Sequence, residues 1–266
     1  MTDYQPMLTL ALTLAKQAGE EIKQLRKSLT IEFKFDDTEL VTQADVAADK
    51  LISEGIQASF AGHDILSEEL APNSTTECEH LWVIDPIDGT VNYAHGHHQV
   101  AISIAYFYQG DCKVAVVHNP FTEETFSAIQ GKGALLNGQA IQPSGKNQLH
   151  RAIVATGFPY QKDNIDPILK RVEYVLKNCA DLRRIGAAAL DICWVACGRM
   201  DAYFESVKPW DFAAAQLIAR EAGAQFGHFI DIPEGENPQL FGQNILVTTP
   251  AIYSGIQGLL AEADAQ

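Results

Sequence analysis

The chain has 266 residues, enough for one large domain or two intimately joined lobes, and its 19 Lys and Arg against 34 Asp and Glu leave a formal charge of −15. A field of that sign repels nucleic-acid backbones and anionic bilayers, so neither is an expected partner, while it draws metal cations in. Five cysteines, odd in number and without a CxxC pair, argue against a disulfide framework or a zinc cluster and fit a reducing cytoplasm.

The opening MTDYQPMLTL lacks the basic-then-apolar order of a signal peptide, and no apolar run approaches the roughly 20 residues that a membrane-spanning helix needs. From Met7 to Leu29, apolar residues at Leu8, Ala11, Leu14, Ala15, Ala18, Ile22 and Leu25 recur at helical spacing. Ile31–Phe35 and Leu40–Thr42, joined by a polar turn, predict a hairpin, and Asp45 falls in the first turn of a helix patterned by Val46, Ala47, Leu51, Ile52 and Ile56. A carboxylate there suits the positive end of the helix dipole, so capping alone accounts for Asp45.

Two apolar strands then discharge acids at their ends: Asp64–Ser67 into Glu68 and Glu69, and Leu81–Ile84 into Asp85-Pro86-Ile87-Asp88-Gly89-Thr90. Each string has a plainer reading, a surface acid pair and a turn. Pro86 fixes one backbone angle and Gly89 permits a tight turn, so both Asp side chains can converge on one hard cation, with a backbone carbonyl as a further oxygen ligand. Thr90–Tyr93 opens a short helix whose first amides suit phosphate. The triplet His95, His97 and His98 crowds a glycine without helical i, i+4 registration and reads as a loop rather than a zinc site.

Val100–Tyr108, Lys113–Val117 and Thr125–Ile129 predict an antiparallel meander, with a further strand pair over Gly131–Ile141. A strand over Ala152–Thr156, a helix over Ile165–Leu176, an Ala-rich helix over Ala187–Ala196 and a strand over Asp201–Glu205 follow. Asp211 sits in the first turn of a helix after Pro209, and a strand over Asn244–Thr248 and a helix over Ile252–Ala261 close the chain.

Three motifs, Leu66-Ser67-Glu68-Glu69, Trp82-Val83-Ile84-Asp85-Pro86-Ile87-Asp88-Gly89-Thr90 and Pro209-Trp210-Asp211-Phe212-Ala213-Ala214, resemble in order and separation those of the inositol monophosphatase family, metal-dependent, lithium-sensitive sugar phosphatases. The resemblance runs from about Leu8 to about Thr249. It implies an α/β five-layer αβαβα sandwich of the inositol monophosphatase and fructose-1,6-bisphosphatase type, with lobes of about 1–145 and 146–266. Local patterns alone do not give that fold.

The resemblance also implies an ester hydrolase using two or three Mg²⁺ ions. Glu68, Asp85 and the Ile87 carbonyl would hold the first, Asp85, Asp88 and Asp211 the second, and Glu68 would touch a third. Thr90, bonded to Asp45, would orient the attacking water, and the Gly89 and Thr90 amides would meet phosphate. For the substrate, the family pattern implies backbone contacts from Gly186, Ala187 and Ala188, hydroxyl contacts from Glu205, flanking by Arg183, and Lys34 on a mobile hairpin near the metals. Glu205 stands six residues before Asp211 where seven is the commoner family spacing, which puts its hydroxyl contact in question. Val91-Asn92 resembles the branch acting on inositol phosphates, so myo-inositol 1-phosphate is the expected substrate and a homodimer the expected state. A broader phosphatase acting on fructose 1,6-bisphosphate, histidinol phosphate or a nucleotide is the alternative. A haloacid-dehalogenase-type phosphatase is disfavoured because two residues, not one, separate Asp85 from Asp88. Some bacterial members are implicated with the transcription machinery, so a partner-binding role is a further alternative.

Overall fold

The computed structural model describes residues 3–28, 31–33, 40–159 and 162–266. The first part of the chain runs α1 (Gln5–Leu25), β1 (Ile31–Phe33), β2 (Leu40–Thr42), α2 (Gln43–Ser59), β3 (Asp64–Ser67), β4 (His80–Asp88) and α3 (Thr90–Ala94). Five more strands complete a larger sheet: β5 (Ala101–Tyr108), β6 (Asp111–Asn119), β7 (Glu124–Ile129), β8 (Ala134–Leu136) and β9 (Gln139–Ala140) follow in sequence. After β10 (Ile153–Thr156) come α4 (Asp166–Asn178), β11 (Asp181–Arg183), α5 (Ala188–Ala196), β12 (Ala202–Glu205), α6 (Pro209–Ala222), β13 (Gln225–His228), β14 (Ile245–Thr248) and α7 (Tyr253–Asp264).

Three apolar cores separate five layers. The first lies between α1 and α2 and one face of the seven-stranded sheet, ordered β3 to β9, and holds Ile22, Ile52, Trp82, Ile84, Ile102, Ile104 and Val116. The second packs α5 and α6 between that sheet and the five-stranded one, ordered β11-β10-β12-β14-β13, and takes Leu81, Val83, Phe107, Tyr203 and Val247. The third sets α4 and α7 against the outer face of the smaller sheet through Val154, Phe204, Leu246 and Leu260. Alternate residues of β4 and β5 thus face different cores, and a strand buried on both sides must be apolar throughout. α5 and α6 carry Ala189, Ala196, Ala213, Ala214, Ala215 and Ala219 because helices confined between two sheets have no polar side to offer.

The predicted elements recur with ends shifted by a few residues, and the predicted hairpin between residues 31 and 42 forms, pairing Ile31 with Thr42. Lys34 and the polar turn after it lie outside the described residues. β11 and β13 were not expected: the first is three residues long and charged at both ends, the second is broken by Gly227, so neither carries a strand pattern. The buried face of α2 differs from its apolar pattern. Val46 is exposed, whereas Asp45 and Asp49 are buried beside Ala44, Ala48, Ile52 and Ile56, because both carboxylates have partners to reach across the core. Among the described residues no helix is long and apolar enough to cross a membrane.

On β6, His118 is buried with its Nδ1 2.9 Å from the Thr125 hydroxyl. Burial pushes this imidazole down from 6.5 to about 4, with Lys16 and Lys23 of α1 acting in the same direction and Glu20 opposing them. The folded state therefore holds it neutral, and the unfolded chain takes up the proton first as pH falls. Its contribution is complete above about pH 6.5 and drains away toward pH 4, about 3 kcal/mol over the window. We expect the loss of unfolding free energy between pH 7 and pH 4.5, measured by urea titration, to shrink by about 2 kcal/mol in His118→Gln; an unchanged pH dependence would contradict this assignment.

Candidate active site

The C-terminal ends of β3 and β4 lie side by side because these strands are parallel, with Ser67 opposite Ile84. Glu68 therefore emerges next to Asp85, and its amide donates to the Ile84 carbonyl at 3.2 Å. β4 does not stop at Ile84 as its apolar run suggests; it continues to Asp88 through an irregularity in its pairing with β5, between Asp85 opposite Ser103 and Asp88 opposite Ala101. A proline is admissible in a central strand at such a bulge, where no ladder donor is required. Asp85 accepts from the Ile87 amide at 3.0 Å, which closes the turn locally.

Gly89 then takes φ 92°, ψ 41° and caps α3. A Cβ at this position would lie 2.8 Å from the Gln99 carbonyl oxygen and 3.1 Å from that of Gly186, so both conformation and space demand glycine. Thr90 follows with one hydroxyl hydrogen and two acceptors at 3.1 Å, the Asp45 carboxylate and the Ile87 carbonyl. Asp45 also accepts from the Thr42 amide at 2.8 Å, so capping and contact with Thr90 coexist in one carboxylate.

Asp88 reaches across to the start of α5, where its two oxygens accept from the Ala188 and Ala189 amides at 3.1 and 2.8 Å. Asp211 stands three residues into α6 and accepts from the Lys208 amide at 2.8 Å, while the Trp210 carbonyl accepts from Ser103 of β5. Glu68, Asp85, Ile87, Asp88, Gly89, Thr90, Gly186, Ala187, Ala188, Glu205 and Asp211 all line one cavity of about 320 Å³. Lys208 and Arg184 are in its wall too.

Burial raises the Asp85 carboxyl well above its ordinary range, and Glu68, Asp88, Asp211 and Asp45 each add to the effect. Asp88 is raised by burial and by Asp211, against the pull of its two amide donors. Carboxylates crowded in this way resist ionising together, and a cation placed among them reverses the sign of that effect. Among the described residues no three His, Cys, Asp or Glu side chains close into a metal cage as they stand. The donor set nonetheless fits a hard divalent ion: it consists of carboxylate oxygens and a backbone carbonyl, without a thiol or imidazole in the wall.

A model of the inositol monophosphatase family matches residues 3–264. The chain belongs to the inositol monophosphatase family. Over 262 residues it is 38% identical to the Nus factor SuhB of Vibrio cholerae, covering 96% of this chain and 94% of that protein. The structure of the Thermotoga maritima IMPase superposes with a TM-score of 0.86 at 30% identity, covering 97% and 98% of the two chains. An IMPase/NADP phosphatase complexed with Mg²⁺ and phosphate gives 0.84 at 28% identity, over 96% and 95%.

The structure gathers Glu68, Asp85, Asp88 and Asp211 around one cavity, and Thr90, in the same wall, bonds to Asp45 behind it. Glu205 lines the cavity despite its shortened loop, which is knitted to its surroundings by bonds from the Val207 amide to Gly242 and from the Asn244 amide to Ser206. Two of the residues expected on the substrate side have other partners. Arg183 lies outside the cavity wall, paired with Asp181 at 2.6 Å on the same side of β11, and Arg184, just past the strand, lines the cavity instead. Ala188 lines the cavity with Gly186 and Ala187, but its amide is already engaged by Asp88.

Sequence reasoning passed over Asp49, and read Asn92 only as half of the Val91-Asn92 pair that resembles the inositol-phosphate branch. Asp49 accepts from the Glu69 and Leu70 amides at 3.1 and 3.0 Å and fixes the loop that carries Glu68. Asn92 bonds the carbonyls of Gln99, Ile185 and Gly186 and ties α3 to the approach of α5. An acid recurring at i+4 after Asp45 on an otherwise apolar face was the available signal for Asp49. Replacement of Gly89 by Ala is expected to cost about 1–3 kcal/mol of unfolding free energy, read by chemical denaturation, from the left-handed backbone and the crowding against Gln99; a loss below 0.5 kcal/mol would show that the turn relaxes freely.

Proposed function

We propose that the protein is a Mg²⁺-dependent phosphomonoesterase that hydrolyses a sugar or polyol phosphate, with myo-inositol 1-phosphate the first candidate, by direct attack of water. The observation that carries this reading is the convergence on one cavity of four acids from β3, β4 and α6, beside a threonine bonded to a fifth. In this reading Glu68, Asp85 and the Ile87 carbonyl bind one ion, Asp85, Asp88 and Asp211 a second, and Glu68 contributes to a third. Bound Mg²⁺ supplies charge neutralisation on the phosphoryl oxygens and lowers the pKa of a coordinated water.

The protein's own groups do the positioning. Were the Ile87 carbonyl given to an ion, the single Thr90 proton would be left to Asp45, and the threonine oxygen would keep a lone pair for the attacking water. The Gly89 and Thr90 amides face the phosphate, Gly186 and Ala187 wall the alcohol portion, and Glu205 meets its hydroxyls. Burial raises Glu205 to about 7 even though the Tyr203 hydroxyl donates to it at 2.7 Å, so this carboxyl can serve as donor or acceptor near neutral pH.

A second reading is supported by the name of the Vibrio cholerae relative, a Nus factor: a partner-binding role in transcription, held together with the phosphatase activity or in place of it. Asp88→Asn separates the two, since loss of hydrolysis with cellular function retained favours the binding role.

Phosphate release from myo-inositol 1-phosphate is expected to require Mg²⁺ and to cease in EDTA. Thr90→Ala should lower kcat about 100- to 1000-fold with KM little changed, and Asp88→Asn should lower kcat/KM at least about 100-fold. Full turnover in EDTA or a trapped phospho-aspartyl enzyme would contradict this reading, and faster turnover of fructose 1,6-bisphosphate would displace myo-inositol 1-phosphate as its first candidate.

A further inference from the structure

Asp191 belongs to the first turn of α5 and lines the same cavity, yet no role has fallen to it so far. Its side chain is 1% exposed. Four buried side-chain polar atoms among the described residues have no hydrogen-bond partner, Ser67 Oγ, Asp191 Oδ1, Trp194 Nε1 and Thr249 Oγ1, and Asp191 supplies the one carboxylate oxygen of the four. The rest of this turn is Ala188, Ala189, Leu190 and Ile192, so a small apolar residue would suit the packing better. A buried acid with an unused acceptor oxygen is costly to folding and calls for an explanation, and a ligand that completes it is one.

We infer that Asp191 is a specificity-determining residue which accepts a hydroxyl from the alcohol half of a polyol phosphate. This rests on the phosphatase reading above and deepens it. The neighbouring groups choose the ligand chemistry. Glu205, in the same wall, opposes a second phosphate or carboxylate, and Arg184 opposes an ammonium, which leaves a neutral, hydroxyl-bearing group. Both neighbours act on Asp191 itself: Glu205 pushes its carboxyl up, in the same direction as burial, and Arg184 pulls it down.

The spacing also fits. Ala188, whose amide holds Asp88, and Asp191 are three residues apart on α5, about 4.5 Å along the helix axis, so an ester with its phosphate beside Asp88 carries its ring toward Asp191. Glu205 already accepts from Tyr203, whereas Asp191 lines the cavity with one carboxylate oxygen, Oδ1, buried and without a hydrogen-bond partner among the described residues. The two acids would read different hydroxyls of one polyol.

The test compares wild type, Asp191→Asn and Asp191→Leu, each full-length and with Mg²⁺, on myo-inositol 1-phosphate and on p-nitrophenyl phosphate, whose alcohol half has no hydroxyl. The ratio of kcat/KM for the polyol ester to that for the aryl ester should fall about 10- to 100-fold in Asp191→Leu and by less in Asp191→Asn, which keeps an acceptor oxygen. Thermal unfolding without substrate supplies the second readout: both variants should melt higher than wild type, since each removes an ionisable group from the interior. An unchanged ratio, or a lower melting temperature in both variants, overturns the inference and leaves the phosphatase reading intact. Absence of Mg²⁺-dependent hydrolysis of either ester by wild type overturns both.

Discussion

Carboxylates brought together inside a protein repel one another and resist losing water, and the inner architecture of this chain is arranged around holding five of them in that condition. Asp85, Asp88, Asp211, Glu68 and Asp45 come from four segments of the chain, and backbone amides hold four of them: Ile87 to Asp85, Ala188 and Ala189 to Asp88, Lys208 to Asp211, and Thr42 to Asp45, which also accepts from the Thr90 hydroxyl. Amides stabilise an ionised carboxylate without cancelling its charge. Asp85 and Asp88 are still held well above the ordinary carboxylate range, and a cation placed among them would relieve that crowding.

Layering makes this possible. Because β3 and β4 are parallel, their acids emerge at the same end, and because α5 and α6 lie between the two sheets, their N-termini face that end from the other side. The strand supplies Asp85 and Asp88, the α5 terminus anchors Asp88 through two amides, and the α6 terminus delivers Asp211. Trp210 bonded to Ser103 and Asn92 bonded to Ile185 and Gly186 keep these parts in register. A cavity built from ends of elements is rigid where the acids are rooted and open above them, where Glu205, Asp191 and Arg184 form the wall.

Much of this was legible in the chain. The acid strings after two apolar strands and the Asp after Pro209-Trp210 marked the site, because few other arrangements end buried strands in charge. The five layers were legible only through resemblance, since a strand apolar on both faces looks the same whichever helices cover it. Arg183 and Arg184 could not be told apart because the end of β11 was unknown before it was seen pairing with β10. Asp49 was hidden by a helical pattern that counted apolar residues, whereas the buried face of α2 is decided by where its two acids find donors. Asp191 gave no signal, because one acid in an Ala-rich helix reads as an ordinary first-turn charge.

The central claim is that the acids of β3, β4 and α6 share cations in one cage with Asp85 at its centre. Crystals grown with Mn²⁺, whose anomalous scattering locates each ion, test it most directly. The account predicts peaks about 2.0–2.4 Å from carboxylate oxygens of Asp85, with Glu68 on one side and Asp88 and Asp211 on the other. Ions bound elsewhere, or a cavity without any at millimolar Mn²⁺, would contradict it.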